Sequence, residues 1–323
     1  MRNLSLSTLG PLAALILLIV LGAFLNENFL SSGNITNVLA RSAFIGMIAV
    51  GMTFVITSGG IDLSVGSMAA FIAGMMILAM NALIPSLGIG VPLVLAGMAV
   101  ALAVGLAAGF ANGFLITKVG IEPFIVTLGT MGIFRSLVTW IADGGTLSLD
   151  FEARQFYRPV YYDGLFGIAW PIIVFALIAV AGEVVMRHTR FGRYSEAIGS
   201  NDKVARYSAV KVERVQLLTY VILGLLVGLA TILYVPRLGS ASGSTGLLWE
   251  LEAIAAVIIG GTALKGGYGR VWGTVVGVLI LSLIDNILNL ADLVSPYLNG
   301  AIQGVIIVLA VVLQRGKSSA EGR

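Results

Sequence analysis

Apolar and polar positions along this chain segregate in long blocks. Apolar blocks occupy 9–25, 38–57, 65–82, 91–117, 123–142, 168–186, 216–235, 251–264, 271–290 and 298–313, with short polar stretches between them. A helix needs roughly 20 apolar residues to cross a ~30 Å hydrocarbon core. The pattern therefore predicts an all-α fold, a polytopic transmembrane bundle of about ten spans forming one domain over residues 1–323. The block at 251–264 is short by that rule; as a partial or re-entrant helix it would lower the count to nine. The first block follows Arg2 and meets the polar Asn26-Glu27-Asn28 with no small-x-small cleavage site before it, so it reads as an uncleaved span.

One segment breaks the apolar pattern. Residues 187–214, RHTRFGRYSEAIGSNDKVARYSAVKVER, carry seven Lys/Arg against Glu196, Asp202 and Glu213. Basic loops stay on the cytoplasmic side, and ten spans then place both termini there too. Arg2, Lys118, the seven of the loop, Lys265, Arg270, Arg315, Lys317 and Arg323 fall inside. Arg41, Arg154, Arg158 and Arg237 fall outside, a bias of fourteen to four.

Composition agrees with the pattern: 58% of residues are hydrophobic and 11% charged, against about 25% charged in soluble domains. The net charge of +3 gives no reason to invoke nucleic acid. With no cysteine and one histidine, His188, disulfides and thiol chemistry are excluded and a His-based metal site is not expected.

Among the 41 glycines, Gly105, Gly109 and Gly113 lie on one face of the fourth span. Gly224 and Gly228, Gly273 and Gly277, and Gly300 and Gly304 repeat the four-residue spacing, which lets helix backbones approach closely. The turn at 58–67, SGGIDLSVGS, aligns with 265–274, KGGYGRVWGT, an internal similarity that points to duplicated halves.

No enzyme constellation is visible: HExxH, GxSxG and GxxxxGK[ST] are all absent. Transport driven by ATP would need a separate ATPase, and neither a cofactor nor a metal is expected on this chain. Candidates for a translocation path are the intramembrane polar groups, because charge in lipid is costly. Ser58 and Asp62 belong to the Gly-Gly turn, where Asp62 either caps the next helix or faces the path. Asn112 sits in the fourth span. Arg135 lies deep in the fifth, facing a polar cavity or pairing structurally. Asp285 and Asn286, with Asn289, either line a sugar-sized passage or bond between helices. Glu183 is expected to pair with Arg187 at i+4. So few acids make an ion-coupled secondary carrier the weaker reading.

Within the basic segment, Glu196-Ala197-Ile198 suits a helix that Gly199 would end. Asn201 would then cap a second helix starting at Asp202. Val204, Ala205 and Ser208 leave a small apolar patch among Lys203, Arg206 and Lys211. Two readings stand: a surface that docks in a partner's groove, or a loop that only sets topology.

Four stretches carry a resemblance: GMTFVITSGGIDLSVGS at 51–67, PFIVTLGTM at 123–131, RFGRYSEAIGSN at 190–201 and ELEAIAAVIIGGTALKGGYG at 250–269. In this order they resemble the sugar-transport permease family of bacterial ABC importers, which serve ribose, xylose, arabinose, galactose and galactofuranose. The likeness covers about 40–314, and 43–67 is nearest the furanose branch. It implies a multi-pass permease in the bacterial inner membrane, paired with a second permease copy or homologue. The implied partners are a cytoplasmic ABC ATPase, which holds the ATP and Mg, and a periplasmic or lipid-tethered sugar-binding protein. It also implies that 196–210, with Glu196, Ala197, Ile198, Gly199, Asn201 and Arg206, is the segment that couples to the ATPase. Ser200, Glu252 and Lys265 depart from the family pattern. The alternative is a permease for branched-chain amino acids in the wider superfamily.

Overall fold

The structure is a computed structural model and describes residues 6–290, 298, 300–302 and 304–305. The long helices are α1 (Leu6–Leu25), α2 (Ser32–Thr57), α3 (Val65–Leu87), α4 (Val91–Phe114, extended by a π-turn over Leu115–Val119) and α5 (Pro123–Ile141). Two short helices follow, α6 (Phe151–Tyr157) and α7 (Pro159–Tyr162), and then α8 (Trp170–His188). The basic segment forms α9 (Arg190–Ser200) and α10 (Asp202–Tyr207), after which come α11 (Val212–Leu238), α12 (Trp249–Ile259) and α13 (Val271–Leu290).

Among the described residues, seven helices are long and apolar enough to cross a membrane: α2, α3, α4 with its π-turn, α5, α8, α11 and α13. A shorter apolar helix, Gly10–Leu25, precedes them. The expected partial span is α12, whose 11 residues reach about 16 Å at 1.5 Å per residue, half a hydrocarbon core. The tenth expected span, 298–313, is described only at 298, 300–302 and 304–305, and Arg2, Arg315, Lys317 and Arg323 lie outside the described residues.

Burial grades outward from α2, whose most apolar window is 83% buried, through α11 at 72%, to α5 and α8 at 28% each. In water such uniformly apolar helices would aggregate; in lipid the outer ones can face the solvent directly. The centre is rich in methionine: Met47, Met52, Met68, Met76 and Met80 are fully buried and fill an irregular interface with unbranched, adaptable chains.

Glycine sets the helix approaches, as the spacing predicts. Gly105 packs on the Gly224 carbonyl and Gly109 on the Tyr220 carbonyl, so α4 and α11 meet backbone to backbone. Gly273 meets the Gly260 carbonyl and Gly277 that of Ala256, which joins α12 to α13 in the same way. Gly300 and Gly304 differ. Among the described residues, a Cβ at Gly300 would meet only Leu248, and one at Gly304 would meet nothing.

The aligned turns agree on one side only. α3 begins at Val65 and α13 at Val271, one residue apart in the alignment. Upstream the two differ: α2 ends seven residues before α3, whereas α12 ends eleven residues before α13. The helix stop explains the offset. Gly60 N donates to Val55 O and Gly59 N to Ile56 O, closing α2 with a left-handed Gly59. Thr262 N and Gly261 N make the same pair of bonds to Val257 O and Ile258 O, so α12 stops at Gly260-Gly261, before the turn at Gly266-Gly267.

The end of the bundle away from the basic segment carries elements that the apolar pattern does not reveal. Strand β1 (Thr146–Ser148) pairs antiparallel with β4 (Ser240–Ser242), and β2 (Gly164–Leu165) with β3 (Ile168–Ala169). Tyr157 there donates from its hydroxyl to Ile232 O at 2.6 Å, and burial pushes its phenol pKa well up.

Candidate functional site

At one end of the bundle, α9 and α10 fold as two helices joined by a single residue. Thr189 Oγ1 accepts from Gly192 N to start α9, and Asn201 Oδ1 accepts from Val204 N at 3.1 Å to start α10, the cap expected at Asn201. Gly199 does not end α9, contrary to the sequence reading: the helix continues through Ser200. Gly199 serves close approach instead. A Cβ there would land under 3 Å from both Thr57 O and Gly267 N. These two atoms bond each other, Gly267 N donating to Thr57 O at 2.9 Å. α9 thus rests on both Gly-Gly turns: a Cβ on Gly266 would lie 3.0 Å from Gly199 Cα and 3.1 Å from Gly59 Cα.

Beneath the segment, Ile198, Ala205, Val212 and Val215 form a small apolar cluster. Val204 and Tyr207 point away from it, 57% and 91% exposed, so the apolar patch expected at 204–208 divides between an inner Ala205 and an outer face. Glu183 holds Arg187 at 3.4 Å as expected, and Arg187 also stands 3.6 Å from Glu196. Arg206 is braced by Asp202 at 3.9 Å and Glu213 at 3.6 Å. Ala197 and Ser200 lie on the outer surface.

The candidate path residues fall into three separate places. Asp62 and Asn112 meet behind the first turn. Asp62 Oδ1 accepts from Ser64 N at 2.8 Å and Ser64 Oγ at 2.6 Å, and Asn112 Nδ2 donates to Asp62 Oδ2 at 3.1 Å and Ser64 Oγ at 3.0 Å. All three residues are buried, and Asn112 Oδ1 has no hydrogen-bond partner among the described residues. Asp62 therefore organises the entry to α3 and ties it to α4. Ser58 turns its hydroxyl back onto Val55 O, while its carbonyl accepts from Gln216 Nε2 at 3.2 Å. Tyr220 clamps the same turn by donating to Ile61 O at 3.2 Å.

Arg135 lies elsewhere. Its Nη1 donates to the carbonyls of Gly243, at 2.8 Å, and Thr245, pinning the loop after β4 to α5. It also lines an open recess of about 450 Å³ with Thr139, Trp140 and Asp143. Glu250, which the sequence reading missed, is 8% exposed, and its Oε2 has no hydrogen bond among the described residues. It lies against Gly66, where any Cβ would crowd it.

Asp285 and Asn286 occupy the third place, a cavity of about 580 Å³ between α2, α11, α12 and α13. Asn34 and Asn286 exchange amide hydrogen bonds of 3.0 and 2.8 Å across it, so inter-helix bonding and a polar lining coexist. Trp249, Tyr234, Arg41, Arg237 and Glu252 complete it. These escaped the sequence reading because three helices distant along the chain, α2, α11 and α12, supply them. The one available signal was polar spacing: Asn34, Asn37 and Arg41, like Ser282, Asp285, Asn286 and Asn289, recur at helical intervals.

Residues 34–311 match the family model described as branched-chain amino acid transport system / permease component. The chain is 42% identical to the ribose import permease protein RbsC of Bacillus subtilis, covering 96% of this chain and 94% of that protein. It is 36% identical to RbsC of Escherichia coli K12 (95% and 93%). The L-arabinose transport system permease protein AraH of E. coli K12 is 34% identical (97% and 92%). With its apolar spans, paired turns and basic two-helix segment, this multi-pass membrane protein belongs to the sugar-transport permease family of bacterial ABC importers.

Proposed function

We propose that the protein is the transmembrane permease subunit of an ATP-driven monosaccharide importer of the bacterial inner membrane. The observation that carries the reading is the 42% identity to a ribose import permease over 96% of the chain, together with the seating of α9 on both Gly-Gly turns. A cytoplasmic ABC ATPase, which binds the ATP and Mg, docks on α9 and α10, offering its groove to Val204 and Tyr207. A periplasmic or lipid-tethered sugar-binding protein delivers the cargo to the opposite face. Two permeases, identical or homologous, make up the assembly. Pentoses such as ribose and arabinose are the first cargoes to test.

Co-expression with an ATPase and a binding protein tests this reading through uptake of labelled pentoses. Gly199→Pro combined with Arg206→Glu should abolish ATPase co-purification and uptake while the chain still inserts. Intact coupling in that variant refutes the docking assignment. Uptake by proteoliposomes containing this chain alone, on an ion gradient, refutes the ABC reading. The description of the matched family favours one second reading, a branched-chain amino acid permease; leucine uptake without pentose uptake would establish it.

A further inference from the structure

We infer that the cavity between α2, α11, α12 and α13 is a binding subsite within the permease for a neutral, hydroxyl-rich ring, a monosaccharide held between the delivery face and the interior. The inference rests on the sugar-permease reading and adds a location and a chemistry to it. The cavity's volume, about 580 Å³, falls in the range of small-molecule sites, about 300–1,000 Å³.

Its lining differs only in part from that of the other recesses: the Arg135 recess is polar as well, but open and without an aromatic wall of several rings. Two smaller cavities, about 280 and 260 Å³, are lined almost wholly by apolar side chains, the composition of lipid-facing grooves. Here the polar residues of α2 and α13 recur every three or four positions, so each helix turns a polar stripe toward the same space. The α13 residues lie within a span, and there polar side chains are retained where they face a cavity or one another. The Asn34–Asn286 pair is an instance of the second, and the open volume beside it is an instance of the first.

Charge selects the ligand class. Two guanidinium groups, Arg41 and Arg237, and two carboxyl groups, Glu252 and Asp285, line the space. Their formal charges cancel, which disfavours anionic sugar phosphates and cationic cargo alike. Carboxylates accept, guanidinium groups donate, and amides do both. A hydroxyl, donor and acceptor at once, can satisfy all three. One wall is aromatic: Phe44 meets Tyr234 edge-on with centroids 5.5 Å apart, and Tyr234 meets Trp249 at 5.1 Å. Phe44 and Tyr234 are buried, while Trp249 is half-buried. An aromatic wall facing hydrogen-bonding groups fits a ring with C–H faces and a hydroxylated rim.

The protein contains no cysteine, so Ser282→Cys places a single thiol in the cavity. The full-length chain, reconstituted with its ATPase, is treated with N-ethylmaleimide in the presence or absence of ATP, and alkylation is followed by mass spectrometry. D-ribose at ten times its half-protecting concentration should slow alkylation about tenfold, while L-leucine should not. A thiol at the exposed Ser86, outside the cavity, should be indifferent to both. In cells, Trp249→Ala should cut pentose uptake about tenfold with insertion and ATPase association unchanged, and Trp249→Phe should restore most of it. Equal alkylation with and without D-ribose in both nucleotide states, while the unmodified chain imports pentose, overturns the subsite and leaves the permease assignment standing. A thiol unreactive under every condition also overturns it, by showing that a second copy or another element fills the space. Failure of the unmodified chain to import any sugar with its partners present refutes the permease reading itself, and the subsite with it.

Discussion

Gly199→Ala adds one methyl group at the place where three backbone segments converge. That methyl would sit under 3 Å from Thr57 O and Gly267 N and 3.0 Å from Thr57 C. None of these atoms is the end of a flexible side chain, so the two turns and α9 must separate. Overpacking of this kind costs about 1–3 kcal/mol. Loss of the 2.9 Å bond from Gly267 N to Thr57 O adds about 1 kcal/mol. A total of about 2–4 kcal/mol falls on the seat of α9, which otherwise rests on the small cluster of Ile198, Ala205, Val212 and Val215. The membrane spans bury far more and should hold, leaving α9 displaced in an inserted protein. At about 1.4 kcal/mol per decade, affinity for the ATPase should fall at least 30-fold. Biolayer interferometry between immobilised permease in nanodiscs and purified ATPase would measure it. Gly129→Ala in α5, where a Cβ meets nothing within 4 Å, should bind like the unmodified chain. Wild-type affinity and hydrolysis in Gly199→Ala would refute both the seat and its role.

Gly109→Leu should lower stability in detergent by about 3 kcal/mol, because its side chain must displace the Tyr220 carbonyl and Gly224 Cα; Gly132→Leu, where a Cβ meets nothing within 4 Å among the described residues, should not. Asp62→Asn presents an amide donor to the Nδ2 of Asn112 and should cost about 1–3 kcal/mol. The exchange Asp62→Asn with Asn112→Asp restores complementarity, so a non-additive recovery in denaturation is expected and simple additivity argues against the network. Arg135→Gln frees the carbonyls of Gly243 and Thr245, and limited proteolysis should then cut the loop after β4 at least several times faster.

Much of the fold was legible because lipid imposes a simple rule of length and polarity. Seven of the expected spans, the short α12, the close backbone approach at the glycine faces and the Asn201 cap each follow from local spacing, but which helix each glycine face meets does not. Gly199 was misread for a physical reason: a glycine near a helix end signals either a left-handed stop or a close approach, and only the position of Thr57 and Gly267 distinguishes them. The strands β1 and β4 were invisible because three-residue strands of Thr, Leu, Ser and Ala carry no periodicity and pair across nearly a hundred residues. The intramembrane polar residues could be named but not grouped, since Asp62 meets Asn112 only through the α3–α4 packing, and Asp285 shares a cavity with Trp249 only through the placement of α12.

The hydroxyl contact between Thr53 and Thr274, 2.7 Å long, lies just above the seat of α9 and joins α2 to α13. These same two helices supply the polar stripes of the distant cavity, Asn34 to Arg41 on one and Ser282 to Asn289 on the other. Each is an unbroken rod without an internal proline, gripped at one end and forming a wall at the other. From Thr53 to Asn34 is about 28 Å at 1.5 Å per residue, so a 5° tilt about the threonine contact swings the far wall by about 2.5 Å. The two helices are thus tied at both ends, by Thr53 and Thr274 near the basic segment and by Asn34 and Asn286 in the cavity, so a tilt of one against the other must strain the paired amides.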